Sequence, residues 1–287
     1  MRTAYNVRLV ALILLSMLVG PRAFATPIAP GDGQQSAHLP GLELTVFTYR
    51  PDCPDRGMLL VLHGINRDAD KYRDHARSLG DRLCMIVVAP MFDSVRFPSW
   101  RYQRGGIVYE GVVQNPHDWT AEFVLDLVAW VREQEGRMLP YSMIGHSAGG
   151  QFLSRVAAFT PTDAKRIVIA NPSTYVFASL QVSAPFGLGG VYQSGDGEAQ
   201  LRRYLIAPLT IFLGKEDIGD EDRNDSPEAR AQGETRYDRG LNAFRTAKML
   251  AQSRSWAFNW RLIEVPGVGH NAAKMFSSTE ALDAISP

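Results

Sequence analysis

The chain has 287 residues, with 30 basic and 30 acidic side chains and a hydrophobic share of 45%. Balanced charge gives no electrostatic footprint for nucleic acid, so a nucleic-acid partner is not expected. No internal repeat or low-complexity linker divides the sequence, and its length suits one α/β domain with a large core.

The first 25 residues read as an address. Arg2 and Arg8 precede an apolar stretch, Leu9 to Val19; Gly20-Pro21 then breaks it, and Ala23-Phe24-Ala25 has the small-x-small form of a cleavage site. This pattern predicts a secretory signal peptide cut after Ala25. The stretch is short for a span of about 20 residues, and no lipobox cysteine follows, so no stable membrane anchor is expected. Cleavage would remove three arginines and no acid. The mature chain would be slightly acidic, in the periplasm or secreted.

Residues 26–40, rich in Pro, Gly, Ala and Gln, read as a flexible N-terminal arm ahead of a domain over 41–287. Leu42 to Tyr49 alternates like an antiparallel edge strand, and Met58 to Leu62 is a buried strand followed by His63-Gly64-Ile65-Asn66. Arg67 to Leu79 reads as a surface helix, and Leu83 to Ala89 as a central parallel strand. Cys53 and Cys84 fall near the starts of adjacent strands. Export would permit a disulfide between them. A buried free Cys84 with an exposed Cys53 fits the spacing equally well.

Pro90 to Gly111 is a long loop carrying Phe92, Phe97, Trp100, Tyr102 and Tyr109. Loops after parallel strands lie at the edge of a sheet where ligands bind. Trp100 and Phe97 are therefore candidates to line an acyl pocket, with plain loop packing as the other reading. Trp119 to Glu135 shows a helical apolar stripe.

Tyr141 to Gly150 reads YSMIGHSAGG, a G-x-S-x-G motif between an expected strand and the helix from Gln151 to Phe159. That context lifts a serine hydroxyl above a sheet on a sharp turn, with small residues letting strand and helix approach. A serine needs a general base. Of the six histidines only His270 follows Ser147, in a Gly/Pro-rich loop after an apolar run. His63 and His146 read as packed residues. The apolar strand Pro208 to Leu213 leads into Gly214-Lys-Glu-Asp217, which makes Asp217 the candidate partner of His270, with Asp220 in reserve. Asp220-x-Asp222-x-Asn224 has the start of a calcium loop, but Asp225 and Ala231 stand where that loop needs Gly and Glu. No metal is expected there. Asp222 to Arg239 reads as an exposed charged loop, Arg236 to Gln252 as a helix, and Trp256 to Val265 as the last strand.

His63-Gly64, Gly145-His-Ser147-Ala-Gly149, Gly214-Lys-Glu-Asp217 and Gly269-His270, in that order, resemble the α/β-hydrolase superfamily over roughly residues 40 to 280. The exported form is similar to bacterial serine esterases and polyester depolymerases. The resemblance implies an α/β fold: a mostly parallel twisted sheet with helices on both faces and an insertion, here 172–207, forming a cap. Tyr175 and Phe186 in that insertion, with Trp100, would bind substrate. The resemblance further implies a Ser147–His270–Asp217 triad and an oxyanion hole from the backbone N–H groups of Ala148 and Ile65, Asn66 being the alternative to Ile65. No metal or organic cofactor is required. The expected reaction is hydrolysis of a small or polymeric carboxylic ester. A peptidase or amidase on the same triad, and a non-catalytic binding domain, are the rival readings.

Overall fold

The computed structural model describes residues 26–193 and 195–286, so the expected signal peptide lies outside the described residues. Ten strands and nine α-helices are described. The chain opens with a hairpin, β1 (Gly31–Leu39) and β2 (Leu42–Arg50), paired antiparallel throughout. This corrects the reading of 26–40 as an unstructured arm. Pro40-Gly41 forms the turn, with Gly41 at φ +69. Ala37 and Leu39 alternate inward and are buried, so the second half of β1 gains enough apolar contact to stay on the sheet.

Next come β3 (Gly57–Leu62), α1 (Ala69–His75), α2 (Arg77–Leu83) and β4 (Met85–Pro90). The single surface helix expected over 67–79 is thus two short helices meeting at Ala76, whose ψ of −3 departs from helical geometry. A small hairpin, β5 (Val108–Tyr109) with β6 (Val112–Val113), tops the aromatic loop. Then follow α3 (Phe123–Glu135), β7 (Tyr141–His146), α4 (Ala148–Phe159), β8 (Ile167–Ala170) and α5 (Asp196–Ile206). The chain continues through β9 (Leu209–Gly214), α6 (Pro227–Arg230), α7 (Arg236–Arg254), β10 (Arg261–Val265), α8 (Ala272–Ser277) and α9 (Glu280–Ile285). The charged stretch expected as loop contains α6. The last strand begins later than expected, at Arg261 rather than Trp256.

Eight strands form one sheet in the order β1-β2-β4-β3-β7-β8-β9-β10. The pairs from β4 to β10 are parallel, and only β1–β2 and β2–β4 are antiparallel. Strands β3, β7, β8 and β9 are buried along their whole lengths, which explains their mostly apolar composition. Alternate side chains feed two cores. Met58, Leu60 and Leu62 pack with residues of α3, α4, α5 and α7, whereas Leu59 and Val61 pack with residues of α1, α2, α8 and α9. From β3 the chain moves to β4 on one side, and from β7 to β8 on the other. The carboxyl ends of β3 and β7 are therefore adjacent strand ends whose loops diverge, and such a switch point leaves a crevice for ligands.

Cys53 and Cys84 are joined by a disulfide, with Cα atoms 5.8 Å apart. The bridge ties the turn before β3 to the end of α2. Among the described residues no helix is long and apolar enough to cross a membrane.

Candidate active site

The site begins where β7 turns into α4. Ser147 has φ 56 and ψ −117, a strained conformation for a non-glycine residue that costs about 1–3 kcal/mol. Close packing imposes it. A Cβ on Gly145 would lie 2.5 Å from the carbonyl of Gly149, and one on Gly149 would lie 2.2 Å from the carbonyl oxygen of Leu62. Only glycine lets α4 press this closely on β7 and β3. The Ser147 N–H donates to the Ala170 carbonyl (3.0 Å), and its own carbonyl accepts from the Gln151 N–H (2.9 Å), so the strained residue is held at both ends.

The other two residues of the expected triad come to this point from distant loops. His270 Nε2 lies 3.0 Å from Ser147 Oγ, and His270 Nδ1 lies 2.8 Å from Asp217 Oδ2. Asp217 is buried, while Asp220 is exposed and makes no such contact. His270 immediately precedes α8, whose cap, Asn271, accepts from the Lys274 N–H (2.9 Å) and so fixes the loop.

Two supports of this line were not legible in the sequence. Arg236 Nη1 lies 3.2 Å from Asp217 Oδ1, and both side chains are only 1% exposed. Arg236 was expected only as the first residue of a helix. Its placement follows from a capping box at the start of α7, in which Thr235 Oγ1 accepts from the Asp238 N–H and Asp238 accepts from the Thr235 N–H. The second support is Asn171, at φ 45 after β8. Its amide donates to the Gly269 carbonyl (3.2 Å), and its side-chain oxygen accepts from the Gly214 N–H (2.8 Å). One side chain thereby joins the loops that carry Asp217 and His270. The bridging role of Asn171 depends on a fold that no local pattern reveals.

The expected oxyanion donors also lie here. Leu62 pairs with Gly145, so the segment after β3 runs beside the serine turn. Ile65, 42% exposed, lines the cleft around Ser147, as do Gly64 and Asn66. Ala148 begins α4, where the first N–H groups lack intrahelical acceptors and the helix favours negative charge. The loop is pinned from behind by Arg67, which donates to the carbonyls of Phe92 (2.8 Å) and Phe97 (2.9 Å).

His63 and His146 are packed residues. The His63 ring nitrogens meet the Gly64 carbonyl (2.9 Å) and the Phe92 N–H (3.1 Å), which places its proton on Nδ1. Burial lowers its pKa to about 4. His146, 3% exposed, has Nδ1 at 3.3 Å from the Tyr72 hydroxyl, and its ring lies 4.6 Å from that of His270. Burial, reinforced by nearby positive groups, pushes its pKa well down. Both rings are neutral at neutral pH.

The cleft around Ser147 and His270 has a volume of about 400 Å³. A larger hollow of about 720 Å³ lies elsewhere, among Leu180, Tyr192, Glu198 and Arg202. The expected substrate contacts Trp100, Tyr175 and Phe186 do not line the Ser147 cleft. Trp100 packs on Tyr109, with ring centroids 4.5 Å apart. Tyr175 is buried, and its backbone is bonded at both N–H and carbonyl by Gln232. Phe186 is buried, with the guanidinium groups of Arg104 and Arg155 5.6 and 5.8 Å from its ring centre. Among the described residues of 172–207 none lines the cleft, where a cover was expected. Tyr175 and Tyr204 instead join the core on the α4 face of the sheet, and Phe177 and Tyr192 pack against it. Among the described residues no cluster of His, Cys, Asp or Glu is arranged to hold a metal ion.

No family model and no curated protein matches the chain. Solved structures do. Poly(3-hydroxybutyrate) depolymerase LpqC from Bordetella parapertussis is 30% identical with a TM-score of 0.82, over 90% of this chain and 92% of that one. Poly(aspartic acid) hydrolase-1 from Sphingomonas sp. KT-1 is 31% identical with a TM-score of 0.82, over 90% of this chain and 99% of that one. Siderophore hydrolase EstB from Aspergillus nidulans, at 15% identity and a TM-score of 0.52 over 90% of this chain and 97% of that one, shares the fold alone. With a serine turn between β7 and α4 and this coverage at this identity, the chain belongs to the α/β-hydrolase superfamily.

Proposed function

We propose that the protein is an exported serine hydrolase that cleaves carboxylic esters. The observation that carries this reading is the continuous line from Ser147 Oγ through His270 to Asp217, with spacings of 3.0 and 2.8 Å. In this reading Ser147 attacks the ester carbonyl carbon while His270 Nε2 takes its proton. Asp217 keeps the His270 proton on Nδ1 and stabilises the imidazolium. The oxyanion forms beside the N–H groups of Ala148 and Ile65, each such donor contributing about 3–4 kcal/mol in comparable sites. His270 then protonates the departing alcohol. Water, deprotonated by the same imidazole, attacks the acyl-enzyme and releases the acid. Each step needs only groups already present.

Similarity to a poly(3-hydroxybutyrate) depolymerase supports an ester chain as substrate. Similarity to a poly(aspartic acid) hydrolase supports a second reading, an amidase on the same triad. Export rests on the N-terminal pattern of Arg2 to Ala25, and the Cys53–Cys84 bridge is compatible with it. Hydrolysis of matched ester and amide substrates, with Ser147→Ala as control, tests the proposal. Ester turnover that vanishes in the variant supports it. Preferential amide turnover would move the reading to an amidase, and turnover retained by Ser147→Ala would refute the mechanism.

A further inference from the structure

The charge of the Ser147 cleft speaks to the kind of chain it accepts. Asp68, Glu221 and Asp222 all line it, and among the described residues no lysine or arginine does. Nearby cations are mostly engaged elsewhere. Lys71 lies 3.8 Å from Asp68 and offsets it, Arg223 faces Asp225 at 3.0 Å, and Arg236 is committed to Asp217. Lys274 stands exposed on α8 behind His270. Glu221 and Asp222 are exposed and have no ion-pair partner among the described residues. Their position is not that of a drifting surface loop. Arg236 donates to the carbonyls of Gly219 and Glu221, so the buried Asp217–Arg236 pair also holds the acidic loop at the cleft.

A second feature of the same cleft concerns hydrogen bonding. His146 lines it, is 3% exposed, and has Nε2 without a hydrogen-bond partner among the described residues. A buried polar atom left unpaired is costly, and a bound ligand's polar group can satisfy it. The ring is neutral, so it offers such a group a hydrogen bond without offering an anion a counter-charge. An uncharged ester chain, rich in carbonyl and ether oxygens, matches both features.

We propose that this cleft selects uncharged ester chains over anionic ones, and that Glu221 and Asp222 set the selection. The proposal rests on the ester-hydrolase reading above and specifies its substrate class. It also bears on turnover. Each ester cleaved near neutral pH yields a carboxylate, and two fixed negative charges at the cleft hasten its departure.

The test uses the mature protein and two p-nitrophenyl esters of equal length: the adipic acid monoester, with a free carboxylate, and its methyl ester, which is neutral. The expected kcat/KM ratio favours the neutral ester by about tenfold at low ionic strength and shrinks to about twofold at high salt, where the screening length is about 3 Å. The Glu221→Gln/Asp222→Asn double variant should bring the low-salt ratio down to about the high-salt value. Asparagine tolerates the φ of +52 at position 222, so the loop geometry should persist. Equal rates on both esters, or a preference unmoved by salt and by the double variant, would overturn the charge selection while leaving the esterase reading standing. Turnover of neither ester would instead remove the esterase reading, and this proposal with it.

Discussion

The two oxygens of Asp217 have different partners, His270 on Oδ2 and Arg236 on Oδ1, and this division predicts different consequences for the two neighbours. Asp217→Asn should lower ester turnover by about 10³- to 10⁴-fold, because an amide does not hold the imidazole proton on the correct nitrogen or stabilise the imidazolium. Steady-state kinetics on folded variant would read this; a loss under tenfold would contradict the role given to Asp217. Arg236→Met should act first on stability. It leaves a carboxylate buried without its strongest partner, a change that costs about 3–5 kcal/mol, measurable by urea unfolding. A shift below 1 kcal/mol would mean that the pair is not the buried lock described. At this scale much of the site was legible in the sequence. Order along the chain and the Gly-rich contexts singled out Ser147, Asp217 and His270, and the structure brings those three together. Arg236 and Asn171 were illegible because their partners lie in other loops. Trp100, Tyr175 and Phe186 were misplaced because a loop aromatic finds other partners as readily as a cleft: Tyr109 for Trp100, the core for Tyr175, and Arg104 and Arg155 for Phe186.

At the scale of elements, the serine turn depends on how closely β7, α4 and β3 approach. Gly149→Ala should prevent the native turn from forming, since its Cβ would fall 2.2 Å from a backbone oxygen that cannot move. Loss of both soluble expression and activity would follow, whereas a folded, active Gly149→Ala protein would contradict the packing. The strand ends beside this turn carry His63 and His146, both buried neutral with lowered pKa. Between pH 6.5 and about 4 the unfolded chain binds protons that the folded one does not, so stability is full above that window and falls as pH drops through it. For His63 alone the loss amounts to about 3 kcal/mol by pH 4. Urea midpoints across this range should decline accordingly, and a flat profile would show that these rings accept protons in the folded state. The parallel strands were legible because burial on both faces leaves short, mostly apolar runs. β1 was not, because Gly31 to Ser36 has no apolar residue and is held by the backbone ladder to β2 rather than by side-chain burial.

For the molecule as a whole, the sheet order places the loops after β3 and β7 side by side, and the loops after the parallel strands β9 and β10 carry Asp217 and His270 at the same carboxyl edge. The disulfide lies at the opposite, amino-terminal end of these strands, closing a loop of 31 residues around α1 and α2. A loop of that length is worth about 3–4 kcal/mol through the entropy of the unfolded chain. Reduction should therefore lower the unfolding midpoint while leaving turnover of the folded fraction near its original value; a selective loss of turnover would place the bridge in the function of the site. Overall class was readable from the ordered motifs that resemble the α/β-hydrolase superfamily, but the fate of 172–207 was not. Its glycines and aromatics suit a cover over the cleft and a packed flank of the core equally well, and only the tertiary fold decides between them.

The central claim is that Ser147 is the nucleophile, activated by His270. Labelling of the folded protein with a fluorophosphonate, followed by mass spectrometry of its peptides, tests this most directly. The account predicts a single adduct on Ser147 that is abolished by unfolding and strongly reduced in His270→Ala. An unlabelled folded protein, or an adduct on another residue, would contradict it.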